Sequence, residues 1–425
     1  MEQPPLGFPP MSLSEDGPSG QSAASHVVRA AVWDALGALD HLRVALLRPV
    51  ERLGDDGDID LLVGTEQFDD AVAALHSAGF HRLDHGDPAD GHLVAHDPAS
   101  ASFVWVHLQT RVRSHGVELD SATLLRTAMS ERDVPVIAPE WLFWVLLVHT
   151  GVERGTVPER YREHLRSLAP DAERTVPDVR ALLMRVGCDA EAVHAAIADG
   201  DWVAVDRLTT DVSRRGPLSE RVSGRWVSIR RLRRRRGLAV AAIGPDGAGK
   251  TTLMASLEAS LPVPTTRLYL GLTGGRLPSA DRLRVPGVVF LARLGLLWTR
   301  QLVIVFARAR GRVVLVDRHA LDGRVPSGVP LGPLRRWGRR IESRIVPLPD
   351  LLFVLDAPGD VLHHRSGEYD PDTLEGWRSA YRRIAGRIDR AVVLDTTVPA
   401  ADVLRIAQEQ TWAALIDRAG RAGSS

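Results

Sequence analysis

Between Leu238 and Leu261 an uninterrupted apolar run, Leu238-Ala-Val-Ala-Ala-Ile243, passes through Gly244-Pro-Asp-Gly-Ala-Gly-Lys250-Thr251-Thr252 into a stretch with Leu253, Leu257 and Leu261 at helical spacing. No other feature constrains the fold as tightly. A short all-apolar strand that turns through glycines into an amphipathic helix belongs in a parallel sheet covered on both faces. The spacing G-x-x-x-x-G-K-[ST] also has a chemical meaning. Its glycines let consecutive backbone N–H groups turn inward around phosphate oxygens, and the helix that follows points its positive end at them. Lys250 then reaches the β/γ-phosphates and the Thr251 hydroxyl offers a Mg²⁺ position. The loop therefore reads as a binding site for ATP and Mg²⁺, with Gly244, Asp246, Gly247, Gly249, Lys250, Thr251 and Thr252 as its contact residues. Lys250 is the single lysine beside 52 arginines. Arginine does not replace the compact ammonium where a point charge must fit under a phosphate.

Downstream, short apolar segments alternate with helical ones. Strands are expected at Arg267–Leu270, Arg312–Val316, Leu351–Leu355 and Ala391–Leu394, giving an α/β, three-layer P-loop domain with a parallel sheet over residues 229–425. The segment Val313-Val-Leu-Val-Asp317-Arg318-His319 places a carboxylate at the C-terminal end of a strand, the edge where such sheets bind ligands. Asp317 is expected to hold the Mg²⁺ shell or to orient an acceptor, and Arg318 to clamp a phosphate.

The chain has 425 residues, enough for two or three cores. Its formal net charge is zero, yet residues 1–225 carry −14 and residues 226–425 carry +14. A basic half suits anionic ligands such as phosphates. Residues 1–25, rich in Pro, Ser and Gly, read as a disordered tail without a signal peptide. Residues 26–150 read as an α+β domain, with a helix at Val27–Leu39, strands at Val44–Leu47, Ile59–Val63 and Phe103–Val112, and a helix at Phe68–Ala78. Residues 151–228 read as a helical connector or cap. The run Arg230–Arg236 reads as a solvated boundary segment or as a contact for acidic membrane or nucleic acid. It lacks interleaved aromatic residues, and no nucleic-acid partner is expected. Cys188 is the only cysteine, so no internal disulfide forms, and its place in a helical stretch marks it as a buried thiol. No segment has the length and apolarity of a transmembrane helix, and a cytoplasmic location is the simplest expectation. A homodimer is left open.

In the N-terminal half, Gly57-Asp58-Ile59-Asp60-Leu-Leu-Val63 puts Asp58 and Asp60 at i and i+2 of a strand, so both project from one face. Paired carboxylates of this kind can hold a Mg²⁺ that coordinates a triphosphate.

Taken together, Gly244-x-Asp246-Gly-x-Gly-Lys-Thr-Thr, Asp317-Arg-His and Pro349-Asp-Leu-Leu-Phe-Val-Leu-Asp356-Ala-Pro resemble the thymidylate kinase family of nucleoside monophosphate kinases over residues 237–415. The resemblance implies that Asp246 contacts the acceptor and that Asp317 and Arg318 form the family's Asp-Arg pair. It further implies that Leu362–Glu368 begins a mobile lid whose Arg365 stabilises the transferring phosphoryl group, and that Asp395-Thr-Thr lies near the adenine. The family's Arg-Glu-Pro-Gly-Gly-Thr segment is replaced here by Tyr269-Leu-Gly-Leu-Thr-Gly-Gly-Arg276. Its base-recognising Phe and Arg have only Trp298 and Arg300 as candidates. On a helix over Val288–Phe306, Arg293 and Arg300 share a face that meets either an anionic acceptor or solvent.

Residues 26–150 resemble the nucleotidyltransferase fold, which takes a third carboxylate from a later strand. The matching strand, Phe103-Val-Trp-Val-His107-Leu-Gln109, has His107 there, and the Gly-Ser that precedes the family's Asp pair is absent. The N-terminal half is therefore an active transferase or a nucleotide- or acceptor-binding relic. The leading expectation for the whole chain is an ATP-dependent phosphotransferase using Lys250, Asp317, Arg318 and Arg365. Its acceptor would be a nucleoside monophosphate or a sugar-like small molecule. The alternatives are a nucleotidyltransferase with a nucleotide-sensing P-loop half, or a non-catalytic ATP-dependent switch.

Overall fold

The computed structural model describes residues 32–48, 58–82, 89–98, 101–215, 237–270, 286–326 and 333–423. The expected tail 1–25, the turn at 54–57, the basic run 230–236 and residues 271–276 lie outside them. Two compact units form, one within Asp16–Arg231 and one within Leu232–Ser425.

In the first unit the strands are β1 (Val44–Leu46), β2 (Asp58–Val63), β3 (His81–Arg82), β4 (Asp90–Asp97), β5 (Ser102–Gln109), β6 (Val112–Ser114), β7 (Val117–Leu119), β8 (Met129–Glu131) and β9 (Val134–Val136). Seven of them make a mixed sheet in the order β3-β4-β5-β2-β1-β9-β8, while β6 and β7 pair as a separate hairpin. Side-chain alternation decides what each face buries. Ile59, Leu61 and Val63 of β2 and Val104, Val106 and Leu108 of β5 share a core with α1 (Phe68–Ser77) through Phe68, Ala71 and Leu75. Residues 32–37 are helical, and Val32, Ala35 and Leu36 join that core. On the opposite face Leu62 shares a core with α3 (Pro139–Leu147), α4 (Glu159–Ala172), α5 (Val176–Arg185) and α6 (Ala190–Asp199). Val205 and Val212 of α7 (Trp202–Arg215) complete it. Residues 151–215 thus pack as the helical layer of this unit. The short α2 (Ser121–Arg126) is capped by Asp120, which accepts from the Ala122 N–H.

Two differences from the expected pattern matter. The strand expected over 103–112 ends at Gln109; the Thr110 N–H and hydroxyl both donate to the Ala89 carbonyl, and the chain resumes as β6. Strand β4 was not expected at all. Its sequence Asp-Gly-His-Leu-Val-Ala-His-Asp looks like a loop, yet Leu93 and Ala95 face the α1 core while Asp90 and His92 alternate to the other side. Cys188 lies just past the end of α5, buried, and burial first, then Asp189, pushes its thiol up to about 11. It is an inert packing residue.

The second unit contains β10 (Ala239–Ile243), α8 (Lys250–Ser260), β11 (Thr265–Tyr269), α9 (Pro286–Ala309), β12 (Val313–Asp317), α10 (Pro333–Ile345), β13 (Leu351–Asp356), α11 (Gly359–Ser366), α12 (Pro371–Ala385), β14 (Ala391–Asp395) and α13 (Ala400–Gly423). Its five strands run parallel in the order β11-β12-β10-β13-β14. Ala241, Ile243, Val314, Val316, Leu352 and Val354 bury one face against α9 and α12, and α8 and α13 contact one another on the other side. The register aligns Ala242 with Asp317 and Asp356 with Asp395, so the glycine loop and both strand-end aspartates share one edge of the sheet. The fold is a mixed α/β arrangement with a parallel sheet, consistent with a P-loop kinase. None of the described helices is long and apolar enough to cross a membrane.

Candidate functional site

The glycine loop can form only because two of its residues have no side chain. Gly244 has φ 152°, and a Cβ there would sit 2.7 Å from the Leu355 carbonyl oxygen. Gly247 has φ 83°, and a Cβ would sit 2.9 Å from the Leu362 carbonyl oxygen. The loop is thus wedged between the end of β13 and α11, and any other residue at either place would force it outward. Lys250 opens α8 and is only 6% exposed. Its ammonium donates to the Gly244 carbonyl at 2.9 Å and to the Pro245 carbonyl at 2.6 Å, with Asp246 Oδ1 at 3.7 Å. Burial lowers its pKa, and the nearby Arg318 adds to that; three carboxylates, Asp246, Asp322 and Asp317, oppose the shift. Thr251 and Thr252 are exposed on the first turn of the same helix.

Arg318 follows β12 with a φ of 66°, a conformation that a side-chain-bearing residue seldom adopts. The turn sends its guanidinium to Asp246 Oδ1, 2.6 Å away. Strain of this kind persists where the surroundings hold it, and it gathers at functional sites. Asp317 is 5% exposed, and its Oδ1 is buried with no hydrogen-bond partner. An orphaned carboxylate oxygen at the ligand edge of a parallel sheet suits a cation. The donor set of Asp317 and the Thr251 hydroxyl is the oxygen chemistry that Mg²⁺ prefers.

His319, next in the chain, is structural. Its Nε2–H donates to the Pro347 carbonyl at 3.2 Å, its Nδ1 accepts from the Leu321 N–H at 3.3 Å, and burial pushes its pKa down to about 4.

Two further carboxylates near the loop take their partners from other elements. Asp322, on the 3₁₀ turn after β12, is buried, accepts from Tyr381 Oη at 3.0 Å, and is pushed up by burial to about 6 against the pull of Lys250 and Arg318. Asp356 ends β13 and receives two-pronged contacts from Arg378 and Arg382 of α12, at 2.7–3.0 Å. Burial would raise the Asp356 carboxyl, but the two guanidiniums hold it below its ordinary range. An acid set among Ala320, Leu321 and Gly323 is the only local sign that Asp322 is special.

Arg365 lies on α11, and its guanidinium donates to the Thr396 carbonyl at 2.9 Å, tying the expected lid to the Asp395-Thr-Thr segment. Trp298 is 55% exposed and lines an apolar groove with Leu302, Ile345 and Val346. No residue of the glycine loop lines that groove among the described residues. Arg300, on the same helix, is half-buried.

In the other unit, Asp58 opens β2 opposite Trp105, and Asp60 stands opposite His107. Both oxygens of Asp60 are taken: His107 Nδ1 lies 3.1 Å from Oδ1 and Arg48 Nε lies 2.7 Å from Oδ2. Burial would raise the Asp60 carboxyl, but the bonds to His107 and the charge of Arg48 hold it well below the usual carboxylate range. Burial likewise disfavours the His107 imidazolium, and hydrogen bonds to Asp60 and Asp90 outweigh it, pushing its pKa up to about 10. The position where the resemblance asks for a third carboxylate is thus a cation bound to the second. His149, on the π-helical turn Val148–Val152, adds a further favourable charge toward Asp60.

The thymidylate kinase of Xanthomonas campestris pv. campestris strain B100 is 32% identical over 209 residues, covering 43% of this chain and 86% of the relative. Those of Xanthomonas euvesicatoria pv. vesicatoria strain 85-10 and Xanthomonas oryzae pv. oryzae strain PXO99A are 30% identical over the same shares. No protein-family model matches the chain.

Proposed function

The chain belongs to the thymidylate kinase family over part of its length, and on that premise we propose that it transfers the γ-phosphoryl group of ATP to a small-molecule acceptor. A nucleoside monophosphate is the first candidate acceptor and a sugar-like hydroxyl compound the second. One observation carries the reading: Lys250, Asp246, Arg318 and the unpartnered Asp317 Oδ1 converge at the ligand edge of one parallel sheet.

In this reading the loop N–H groups and the α8 N-terminus hold the β/γ-phosphates. Lys250 exchanges its two carbonyl contacts for phosphate oxygens. Thr251 and Asp317 would hold Mg²⁺, which when bound would supply positive charge to the triphosphate. Asp246 orients the acceptor, and its bond to Arg318 keeps that guanidinium beside the phosphates. The acceptor oxygen attacks the γ-phosphorus in line, the bond to the β–γ bridging oxygen breaks, and ADP leaves. Positioning and charge neutralisation supply most of the catalysis in such transfers. Arg365 acts on the transferring group only after leaving the Thr396 carbonyl, so lid movement precedes chemistry.

The nucleotidyltransferase alternative is disfavoured by Asp60, whose oxygens already serve Arg48 and His107. The test is ADP release from ATP and Mg²⁺ across a panel of dTMP, other nucleoside monophosphates and sugars. Acceptor-dependent turnover is expected to survive Asp58→Ala/Asp60→Ala and to disappear in Lys250→Ala. The reverse pattern refutes the kinase reading, and ATP binding without turnover on any acceptor replaces it with a switch.

A further inference from the structure

The helix-covered face of the N-terminal sheet gathers a set of metal-ligating side chains that the phosphotransfer reading does not use. Asp90 and His92 stand at i and i+2 of β4, and the antiparallel register sets His92 opposite His107 on β5. Strand alternation brings all three to one face, because their neighbours Leu93, Val106 and Leu108 fill the core on the other. The His92 and His107 rings stack with centroids 4.3 Å apart and planes 19° from parallel. His107 Nε2 is 2.7 Å from Asp90 Oδ1, and one ligand atom from each of the three residues lies within 4.8 Å of the other two. Across the His107 ring, Nδ1 meets Asp60 Oδ1 at 3.1 Å.

We infer that Asp90, His92 and His107 form a binding site for one divalent transition-metal ion, Zn²⁺ in the first place, with Asp60 as the positioning residue that orients His107. Two imidazoles and one carboxylate are the donors that borderline cations of the zinc, iron and manganese group accept, whereas Mg²⁺ and Ca²⁺ prefer oxygen alone. A metal-binding histidine ordinarily gives its other ring N–H to a carboxylate, which fixes the tautomer and the ring plane. Asp60 stands in that place, and Arg48 in turn holds Asp60 through its second oxygen.

An ion-pair network would need His107 alone; the stacked His92 is what makes a three-donor set. Zn–ligand bonds of about 2.0–2.1 Å in tetrahedral geometry put ligand atoms about 3.4 Å apart. To reach that spacing Asp90, whose side chain is 46% exposed, rotates away from His107, the His92 ring turns out of its stack so that the two imidazole lone pairs converge, and the ion displaces the proton that His107 Nε2 shares with Asp90. Three protein ligands leave a fourth position for water or an oxygen of an anionic substrate, the arrangement of a Lewis-acid centre.

The full chain, stripped with a chelator and kept in excess Mg²⁺, is titrated with Zn²⁺ by calorimetry and with Co²⁺ by visible absorption. One equivalent of Zn²⁺ is expected, together with a Co²⁺ spectrum of low coordination number. His92→Asn and His107→Asn are each expected to weaken binding at least about 100-fold. Asp60→Asn should keep the stoichiometry, weaken binding about 10–100-fold and shift the Co²⁺ spectrum. His41→Asn, at a largely exposed histidine outside the cluster, should change nothing. Far-UV circular dichroism separates lost binding from lost fold, and Asp90→Asn stands in if a histidine variant fails to fold. Absence of stoichiometric Zn²⁺ or Co²⁺ binding overturns the site, as does binding that survives both histidine variants.

Discussion

Asp317 and Asp60 are two strand carboxylates in two sheets, and they differ in what their oxygens touch. Asp317 Oδ1 is buried without a hydrogen-bond partner. Asp60 spends one oxygen on His107 and the other on Arg48. The first retains an unmet demand for a cation, which a metal–nucleotide complex can supply. The second has had that demand met from within the fold. A carboxylate at the right place in a sheet is therefore a poor guide to chemistry until its partners are counted. The same contrast holds for the cations. Lys250 rests on two carbonyl oxygens it can exchange, whereas His107 lies between two carboxylates, Asp60 and Asp90.

The sharpest way to break this contrast is at Lys250. Lys250→Ala, and also Lys250→Arg, should lower kcat/KM at least about 1,000-fold, since the planar guanidinium cannot replace a point charge in the loop. Near-normal turnover by the arginine variant would remove Lys250 from its assigned role.

Asp317→Asn should come next. Turnover is expected to fall about 10–100-fold while ATP affinity stays within about threefold, because the carboxylate's role grows as charge develops in transfer. Equal loss of both would make Asp317 a structural residue and erase its difference from Asp60.

On the other side of the comparison, His107→Ala strands Asp60 and Asp90 without their shared partner. Unfolding of the N-terminal unit should become easier by about 3 kcal/mol, read by denaturant titration. The pH dependence carries the sign. The raised pKa of His107 contributes stability that is full below about 6.5 and lost as pH rises through about 10. The depressed pKa of Asp60 contributes stability that is present above 3.8 and lost as pH falls further. The wild-type unit should therefore show a plateau between roughly pH 4 and 6.5 and a steady loss of stability from there to about pH 10, and a variant profile with the same shape and height would dissolve the pairing argument.

The smallest effect is expected at Asp322. Burial raises its pKa from 3.8 to about 6, so the folded state keeps a proton that the unfolded chain releases, and stability falls as pH rises through that interval. Asp322→Asn keeps an acceptor for Tyr381 and should raise the stability of the P-loop unit by about 1–2 kcal/mol above pH 6, with no gain at pH 4. A gain that does not depend on pH would show that ionisation of Asp322 is not its cause.

The P-loop itself was legible because its determinants are contiguous. Glycines that must take positive φ at Gly244, Gly247 and Gly249, an apolar strand before them and a helix opened by Lys250 all fall within Leu238–Leu261. The aspartate ending β12 was legible for the same reason, since an apolar run that stops on a carboxylate puts it at a sheet edge. The N-terminal helices after residue 150 were likewise visible as local periodicity.

Tertiary structure decided what those residues have as partners. His107 meets Asp60 from 47 residues away and Asp90 from 17, through strand registers that no local pattern states. Strand β4, which brings Asp90 and His92 to the cluster, was hidden because polar residues alternate onto its inner polar face. Arg365 rests on Thr396, Asp356 is held by Arg378 and Arg382, and buried Asp322 accepts from Tyr381; each is a contact across elements. Local sequence determines backbone conformation and residue chemistry. Whether a charged group is open to a ligand or already neutralised depends on burial and long-range register, and only the folded chain sets those.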